Sequence, residues 1–376
     1  MRYPPSDEGD AGLLVESVVH VVSFAAGFAL VARTLLSAVR TFILPRGARD
    51  RIVAFVFREL RRIFNFLAPK HRPYPFRDQI FAYYAPIALA LLAVSWLILV
   101  LIGFAAMFWS LGGHSVGDAI RLSGSSLLTL GYRTPSGGAE TILTFAEAIT
   151  GLGLAALLVG YLPTMYAAFA RRELQVNLLE VVADRPASAV AWFRRAQRLG
   201  RWDTLHEDWI RWETWFADVE ESHTTLSALA FYRSQQPEHS WIVAAGAVLD
   251  AASLSRSLLD IPKDVQADLT IRAGYLCLRR IADFFGIKYD GSPAPTDPTS
   301  VSRDKFEAAA EELEQAGVPL RADRDAAFAD FNGWRVNYDR PLLAISRLVL
   351  APEALWNTVE DRAAFGRFGP TPGDAG

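Results

Sequence analysis

Residues 80–109 read Ile80-Phe81-Ala82-Tyr83-Tyr84-Ala85-Pro86-Ile87-Ala88-Leu89-Ala90-Leu91-Leu92-Ala93-Val94-Ser95-Trp96-Leu97-Ile98-Leu99-Val100-Leu101-Ile102-Gly103-Phe104-Ala105-Ala106-Met107-Phe108-Trp109. No charged residue interrupts the chain between Asp78 and Asp118. A bilayer core is crossed by about 20 apolar helical residues, so this stretch spans it with room for tilt. Trp96 lies within the run, and Trp109 suits the interface at its end.

Two further apolar runs flank it. The first extends from about Leu13 to Leu36 and has polar ends carrying Glu16, His20 and Arg33; the third runs from Ala148 to Ala170 and stops at Arg171-Arg172. The expected fold class is therefore an all-α membrane protein with three transmembrane helices. Orientation follows from the basic residues in short loops. Arg46, Arg49, Arg51, Arg58, Arg61, Arg62, Lys70, Arg72 and Arg77 crowd the segment between spans one and two. That segment is expected on the cytoplasmic side, with the acidic N-terminus outside, the segment between spans two and three outside, and everything after Arg171 inside. The acidic start is unlike a secretory signal peptide. Arginine outnumbers lysine and alanine is abundant, which points to a GC-rich bacterial genome; with the three spans, a multi-pass protein of the inner cell membrane is expected.

Residues 117–136, between spans two and three, read Gly-Asp-Ala-Ile-Arg-Leu-Ser-Gly-Ser-Ser-Leu-Leu-Thr-Leu-Gly-Tyr-Arg-Thr-Pro-Ser. Thr129-Leu130-Gly131-Tyr132, preceded by Ser126, resembles the Thr-Val-Gly-Tyr-Gly selectivity filter of the potassium-channel superfamily, with a pore helix before it. The similarity covers about residues 78–172. It implies a re-entrant pore helix and filter, a monovalent cation, potassium-like, bound at Thr129, Leu130, Gly131 and Tyr132, and a homotetramer. The residue types suit that chemistry. Backbone carbonyls and a threonine hydroxyl can replace an ion's water shell without a trapping charge, and irregular backbone at membrane depth is tolerated where protein surrounds it. Asp118 stands where the pore helix would begin and is expected to cap it.

The sequence departs from the family pattern at Arg133, which replaces the second filter glycine. Arginine disfavours the left-handed backbone that glycine adopts freely. The outermost carbonyl ring is therefore expected to be reshaped, and potassium selectivity is open. Glu140 is a candidate partner for Arg133. Arg121 and Glu147 are charges near or within the membrane. One reading pairs them as a brace for the filter, together with Ser126; the other has both snorkel to the interface. In span three, Gly160 and Pro163 match the position of the family's inner-helix hinge, and Leu157, Leu158, Leu162 and Tyr166 could close the pore by dewetting. Close helix packing by small residues is the other reading of Gly151, Gly153 and Gly160.

Residues 51–69 form a basic amphipathic stretch. Arg51, Arg58, Arg61 and Arg62 share one side, Phe55, Ile63 and Phe66 another. A helix in the inner interface, touching anionic lipids, is expected, with packing on the protein's own cytoplasmic part as a compatible alternative. The expected organisation is an N-terminal span in 1–45, the interfacial helix in 46–77, the pore domain in 78–172 and a helical cytoplasmic domain in 173–376. Helices in that last domain are expected to break at Pro186, Pro237, Pro262, Pro319, Pro341 and Pro352. Trp202, Trp209, Trp212, Trp215 and Phe216 recur at helical spacing and read as a core or subunit contact. Residues 290–304 read as an exposed loop.

Several function classes find no support. The net charge of −3 gives no electrostatic case for nucleic acid. The single cysteine, Cys277, reads as a buried small hydrophobe. No Gly-rich nucleotide loop occurs. His206-Glu207 lacks the second histidine of a zinc-protease helix, and Glu220, Glu221 and His223 read as a solvated helix face. No catalytic constellation is present, so the chain reads as a passive channel without a cofactor, not as an enzyme. Its rivals are a non-selective or mechanosensitive pore and a membrane-anchored sensor or scaffold.

Overall fold

The computed structural model of the chain describes residues 7–42, 50–69, 71–237 and 239–352. Arg46, Arg49, Lys70 and the tail from Gly366 lie outside the described residues. Thirteen α-helices follow in order: α1 Asp7–Phe42, α2 Arg51–Leu67, α3 Tyr74–Ala82, α4 Tyr84–Ser110, α5 Val116–Leu127, α6 Gly138–Ala183, α7 Ala189–Leu199, α8 Leu205–Thr225, α9 Trp241–Ser257, α10 Val265–Phe285, α11 Arg303–Gln315, α12 Arg324–Arg335 and α13 Asp339–Val349. A 3₁₀ turn, Ser227–Phe231, lies between α8 and α9. Among the described residues there is no strand, only an isolated bridge between Leu259 and Leu320.

Among the described residues, three segments are long and apolar enough to cross a membrane: Leu14–Phe42, Tyr74–Ser110 and Gly138–Ala183, with mean hydropathies of 2.0, 2.8 and 2.0. The described residues are thus all-helical, and the protein is membrane-embedded. The second run is not one uninterrupted helix, because α3 and α4 meet at Tyr83. Pro86 explains the joint: it has no N–H to return to the carbonyl of Ala82, but it is tolerated in the first turn of a new helix. Helix α6 extends well beyond residues 148–170 at both ends and runs past Arg171-Arg172.

The chain divides into two compact units. The first comprises residues 1–61 and 86–165. Its core is formed by Val31 and Ala38 of α1, Leu92, Trp96, Val100 and Phe108 of α4, Leu122 and Leu127 of α5, and Leu154 of α6. Its polar groups are stitched together, as a low-dielectric setting demands. The indole N–H of Trp96 donates to Ser37 Oγ at 3.1 Å, and Ser37 donates to Asp50 at 2.8 Å. Asp50 in turn caps α2 by accepting from the backbone N–H of Ile52 at 2.8 Å. At the other end of α4, His20 stacks on Trp109 and bonds the Ser110 carbonyl at 2.8 Å.

On α2 the packed stripe is Val56, Leu60 and Phe64 at four-residue spacing. Phe55, Ile63 and Phe66, the apolar side of the expected interfacial helix, are exposed in the single chain rather than packed on the protein, as are Arg51, Arg58 and Arg62. Arg61 is half-buried.

The second unit comprises residues 62–85 and 166–376. Helix α9 is its central element, mostly apolar and buried along almost its whole length. The tryptophan stripe of α8 packs into this core, with Trp209, Trp212, Trp215 and Phe216 buried and Trp202 packed at its edge. Cys277 is buried there too. Arg335 is wholly buried and ion-paired with Asp250 and Asp339, and Tyr338 donates to Asp250 at 2.9 Å. Arg233 joins Asp78 and the Tyr74 hydroxyl of α3 to the carbonyls of Val349 and Leu350.

Pro186, Pro237, Pro262 and Pro319 lie between helices, as expected, and Pro352 follows α13. Pro341 instead sits in the first turn of α13, where its missing N–H costs nothing. Glu220, Glu221 and His223 do not share a solvated face either. Glu220 pairs with Arg280, Glu221 accepts from Thr225, and His223 is buried against Arg172. Arg172, itself inaccessible, donates to the carbonyls of Leu229 and Tyr232 at 2.9 Å each and to Glu173. His206 is held by Asp264, and among the described residues no cluster of His, Cys, Asp or Glu is arranged to hold a metal.

Candidate functional site

Helix α5 starts at a serine cap. Ser115 Oγ accepts from the backbone N–H of Asp118 at 3.1 Å and donates to its carboxylate at 2.8 Å. The cap is therefore Ser115, with Asp118 in the first turn. An acidic side chain is favourable there beside the helix's positive end. Leu122 and Leu127 face the core, and Ser123, Ser125 and Ser126 are buried with them. Three small polar residues let α5 lie close to its neighbours while offering bonding atoms.

The chain leaves α5 and folds back along it. The backbone N–H of Thr129 donates to the Ser126 carbonyl at 3.0 Å. Those of Leu130 and Gly131 both donate to the Ser125 carbonyl, at 2.9 and 3.4 Å. That of Arg133 donates to Ser125 Oγ at 3.1 Å. In a trans peptide the N–H and C=O point in opposite directions. Four N–H groups turned toward α5 therefore turn the carbonyls of Leu128, Thr129, Leu130 and Tyr132 away from it. Among the described residues, the carbonyls of Thr129, Leu130 and Tyr132 accept no hydrogen bond from the chain.

The backbone that produces this comb is unusual. Thr129 has φ +53° and Gly131 φ +70°. Glycine takes that conformation without penalty, whereas a β-branched threonine there is a local strain of the kind held in place at functional sites. Arg133 is not left-handed, since the non-glycine residues with positive φ among those described are Thr129, Asp184 and Leu350. At Arg133 the backbone thus lacks the left-handed turn that a glycine would adopt freely.

Two side chains strap the loop to the start of α5. The Tyr132 hydroxyl donates to the Arg121 carbonyl at 3.1 Å. The Arg133 guanidinium is ion-paired with Asp118. Glu140, the partner expected from sequence, is engaged elsewhere: it accepts from Ser136 N–H at 2.8 Å and pairs with His114 at 2.9 Å. Leu128, Leu130 and Tyr132 are exposed in the single chain.

Of the two readings of Arg121 and Glu147, a brace between them or snorkelling of both, the brace is not formed, because each has another partner. Arg121 is exposed and lies 3.9 Å from Asp118. Glu147 is fully buried and bonded to Ser123 Oγ at 2.5 Å. Glu147 belongs to the packed face of α6 with Gly151, Leu154 and Tyr161. A Cβ on Gly151 would come within 2.3 Å of the Leu127 carbonyl, so only glycine admits the end of α5 here. Gly153 and Gly160 have open space where a Cβ would be.

Farther along α6, Pro163 stands inside an unbroken helical assignment. Leu162 and Tyr166 are exposed, and Leu157 and Leu158 are half-buried. Ile142, Phe145, Ile149, Leu152 and Val159 form an exposed apolar stripe on the unpacked side of α6. The residues that sequence reasoning missed are Ser115, Ser123 and Ser125. Serine is common, and nothing in its local spacing marks the ones that accept from a returning loop.

No known protein family, curated protein or solved structure matches the chain.

Proposed function

We propose that the chain is one subunit of a passive cation pore, potassium-like in its filter and homotetrameric. Thr129, Leu130, Gly131 and Tyr132 line the ion path. One observation carries this reading: the loop 129–133 turns four peptide N–H groups onto α5, leaving carbonyls of Thr129, Leu130 and Tyr132 unbonded on the opposite side. Carbonyl oxygens facing one way are the ligands a dehydrated monovalent cation needs. Repeating the loop around an axis would complete the coordination shell and cover the exposed Leu128, Leu130 and Tyr132. The stripe from Ile142 to Val159 recurs at three- and four-residue steps, as a helix–helix seam does, and supports self-association through α6.

In this reading α5 is the pore helix, α4 the outer helix and α6 the inner helix. Gly160, Leu162, Pro163 and Tyr166 stand at the gate. The basic residues of the segment between the first two spans support a cytoplasmic side for α2 and the second unit, in the inner cell membrane. Arg51, Arg58, Arg61 and Arg62 face anionic headgroups there, and the second unit regulates opening.

A less selective pore is the second reading, favoured by the backbone at Arg133, which lacks the left-handed turn of a second glycine. Cation flux into liposomes holding the purified chain tests conduction, and reversal potentials in mixed potassium and sodium separate the two readings. Arg133→Gly is expected to raise conductance or potassium preference. Liposomes that pass no cation would leave a membrane-anchored scaffold.

A further inference from the structure

Behind the filter loop, three helices meet at one hydroxyl. Ser123 on α5 is wholly buried. Its Oγ lies 3.0 Å from the Leu101 carbonyl of α4 and 2.5 Å from Oε1 of Glu147 on α6. A serine hydroxyl has one proton to donate. A carbonyl and an ionised carboxylate are both acceptors, so one proton cannot serve the two contacts. The count closes only if Glu147 brings a proton of its own.

The surroundings point the same way. Glu147 has no solvent exposure, and its second oxygen, Oε2, is buried without a partner. Among the described residues, no cation is bonded to either of its oxygens. Helix α4 carries no acidic or basic residue along its length. On α5, Asp118 and Arg121 are turned to the exposed side, where Asp118 binds Arg133. Glu140, earlier on α6, is occupied by His114 and Ser136. On α1, His20 is stacked on Trp109, and Glu16 and Arg33 are exposed. An unpaired carboxylate in this position would be a buried charge with unsatisfied lone pairs, whereas a neutral acid leaves only one carbonyl oxygen unbonded.

We propose that Glu147 is a neutral carboxylic acid that donates its proton to Ser123 Oγ while Ser123 donates to the Leu101 carbonyl. This relay ties α6, α5 and α4 together and makes Glu147 a positioning residue for the filter. Ser123 stands two residues before Ser125, whose carbonyl and hydroxyl hold the loop. Removing the proton turns the Ser123 hydroxyl toward the carboxylate, breaks its bond to α4 and puts a negative charge behind the loop. Conduction therefore falls as the pH is raised. That last step rests on the pore reading; the protonation itself does not.

The test uses the full chain in liposomes and two readouts. Infrared difference spectra, wild type minus Glu147→Gln, are taken at about pH 8, where ordinary carboxyls are ionised. A protonated-carboxyl C=O band present in the wild type and lost in the variant is expected; no such band overturns the proposal. If Glu147→Gln does not assemble, Ser123→Ala replaces it. The band must then move to the frequency of an unbonded acid, and an unmoved band is the overturning result. The second readout is cation flux against pH. A severalfold fall on alkalinisation in the wild type and a flat profile in Glu147→Gln, whose amide donates to Ser123 at any pH, are expected. Identical profiles overturn the positioning role. A band with no flux in any variant sinks the pore reading and leaves the neutral acid standing.

Discussion

Arg133 and Asp118, 15 residues apart, are ion-paired across the start of α5. In the proposed pore, this contact decides what a positive charge at the end of loop 129–133 does. Unpaired, it would repel an approaching cation; neutralised by Asp118, it fastens the loop to its helix. Asp118→Asn is expected to lower cation flux severalfold while Arg133→Gly does not, and the double variant should recover the flux lost in Asp118→Asn. The Ser115 hydroxyl, then Arg133 and Arg121, hold the Asp118 carboxyl below the usual carboxylate range. A depressed carboxyl keeps its pair above the ordinary value of about 3.9 and loses it as pH falls through the lower folded value. Flux should be insensitive to Asp118 from neutral pH down to about 4 and fall below that. A step near neutrality that disappears in Asp118→Asn would contradict the assignment.

Gly151 is the tight crossing of α6 and α5. Gly151→Ala drives a methyl into the Leu127 carbonyl at 2.3 Å, a backbone atom that cannot rotate away. A loss of about 1–3 kcal/mol is expected, the usual range for an overpacked contact. Gly153→Ala and Gly160→Ala meet open space in the single chain. There the better helix propensity of alanine, about 1 kcal/mol, should stabilise the subunit or leave it unchanged. Thermal unfolding of the three variants in one detergent checks the contrast.

Arg335 is ion-paired with both Asp250 and Asp339 in a buried cluster. Burial pushes the Asp250 carboxyl up, and the Arg335 guanidinium opposes that shift. Arg335→Met strands two carboxylates in the core of the second unit and is expected to cost about 3–5 kcal/mol. Removing the exposed pair partner Asp325, bound to Arg303, should cost no more than about 1 kcal/mol. Denaturant unfolding of the full chain, followed by tryptophan fluorescence, reports both.

His223 Nε2 lies 3.2 Å from Arg172 Nη1. Arginine can only donate, so the imidazole accepts and is neutral in the fold. Burial, and then the Arg172 charge, push His223 well below the ordinary histidine range. The sign follows. As pH drops below about 6.5 the unfolded chain takes up this proton and the folded chain does not, so stability falls with acidification, by at most about 1.4 kcal/mol per pH unit. The dependence should vanish in His223→Gln. If stability between about pH 6 and 5 is the same in wild type and variant, the histidine is not gripped as described.

The helices themselves are legible from local pattern. The charge-free run ending at Trp109, the recurrence of Trp209, Trp212 and Trp215, and the prolines between α6 and α12 each mark an element, because periodicity and backbone chemistry act over a few residues. The joint at Tyr83 was also within reach, since Pro86 is visible in the sequence. The exposed side of α2 was not. Phe55 and Val56 are adjacent and both apolar, and only the neighbouring helices determine which of them is covered.

From the sequence alone come the spans, the resemblance around Thr129-Leu130-Gly131-Tyr132 and the misfit at Arg133. Hydropathy and backbone preference belong to each residue wherever it lies. Tertiary structure decided the partners: Asp118 rather than Glu140 for Arg133, and Ser123 rather than Arg121 for Glu147. Both are set by how the loop returns along α5 and by the crossing at Gly151. Such contacts join residues far apart in the chain, and no local spacing encodes them.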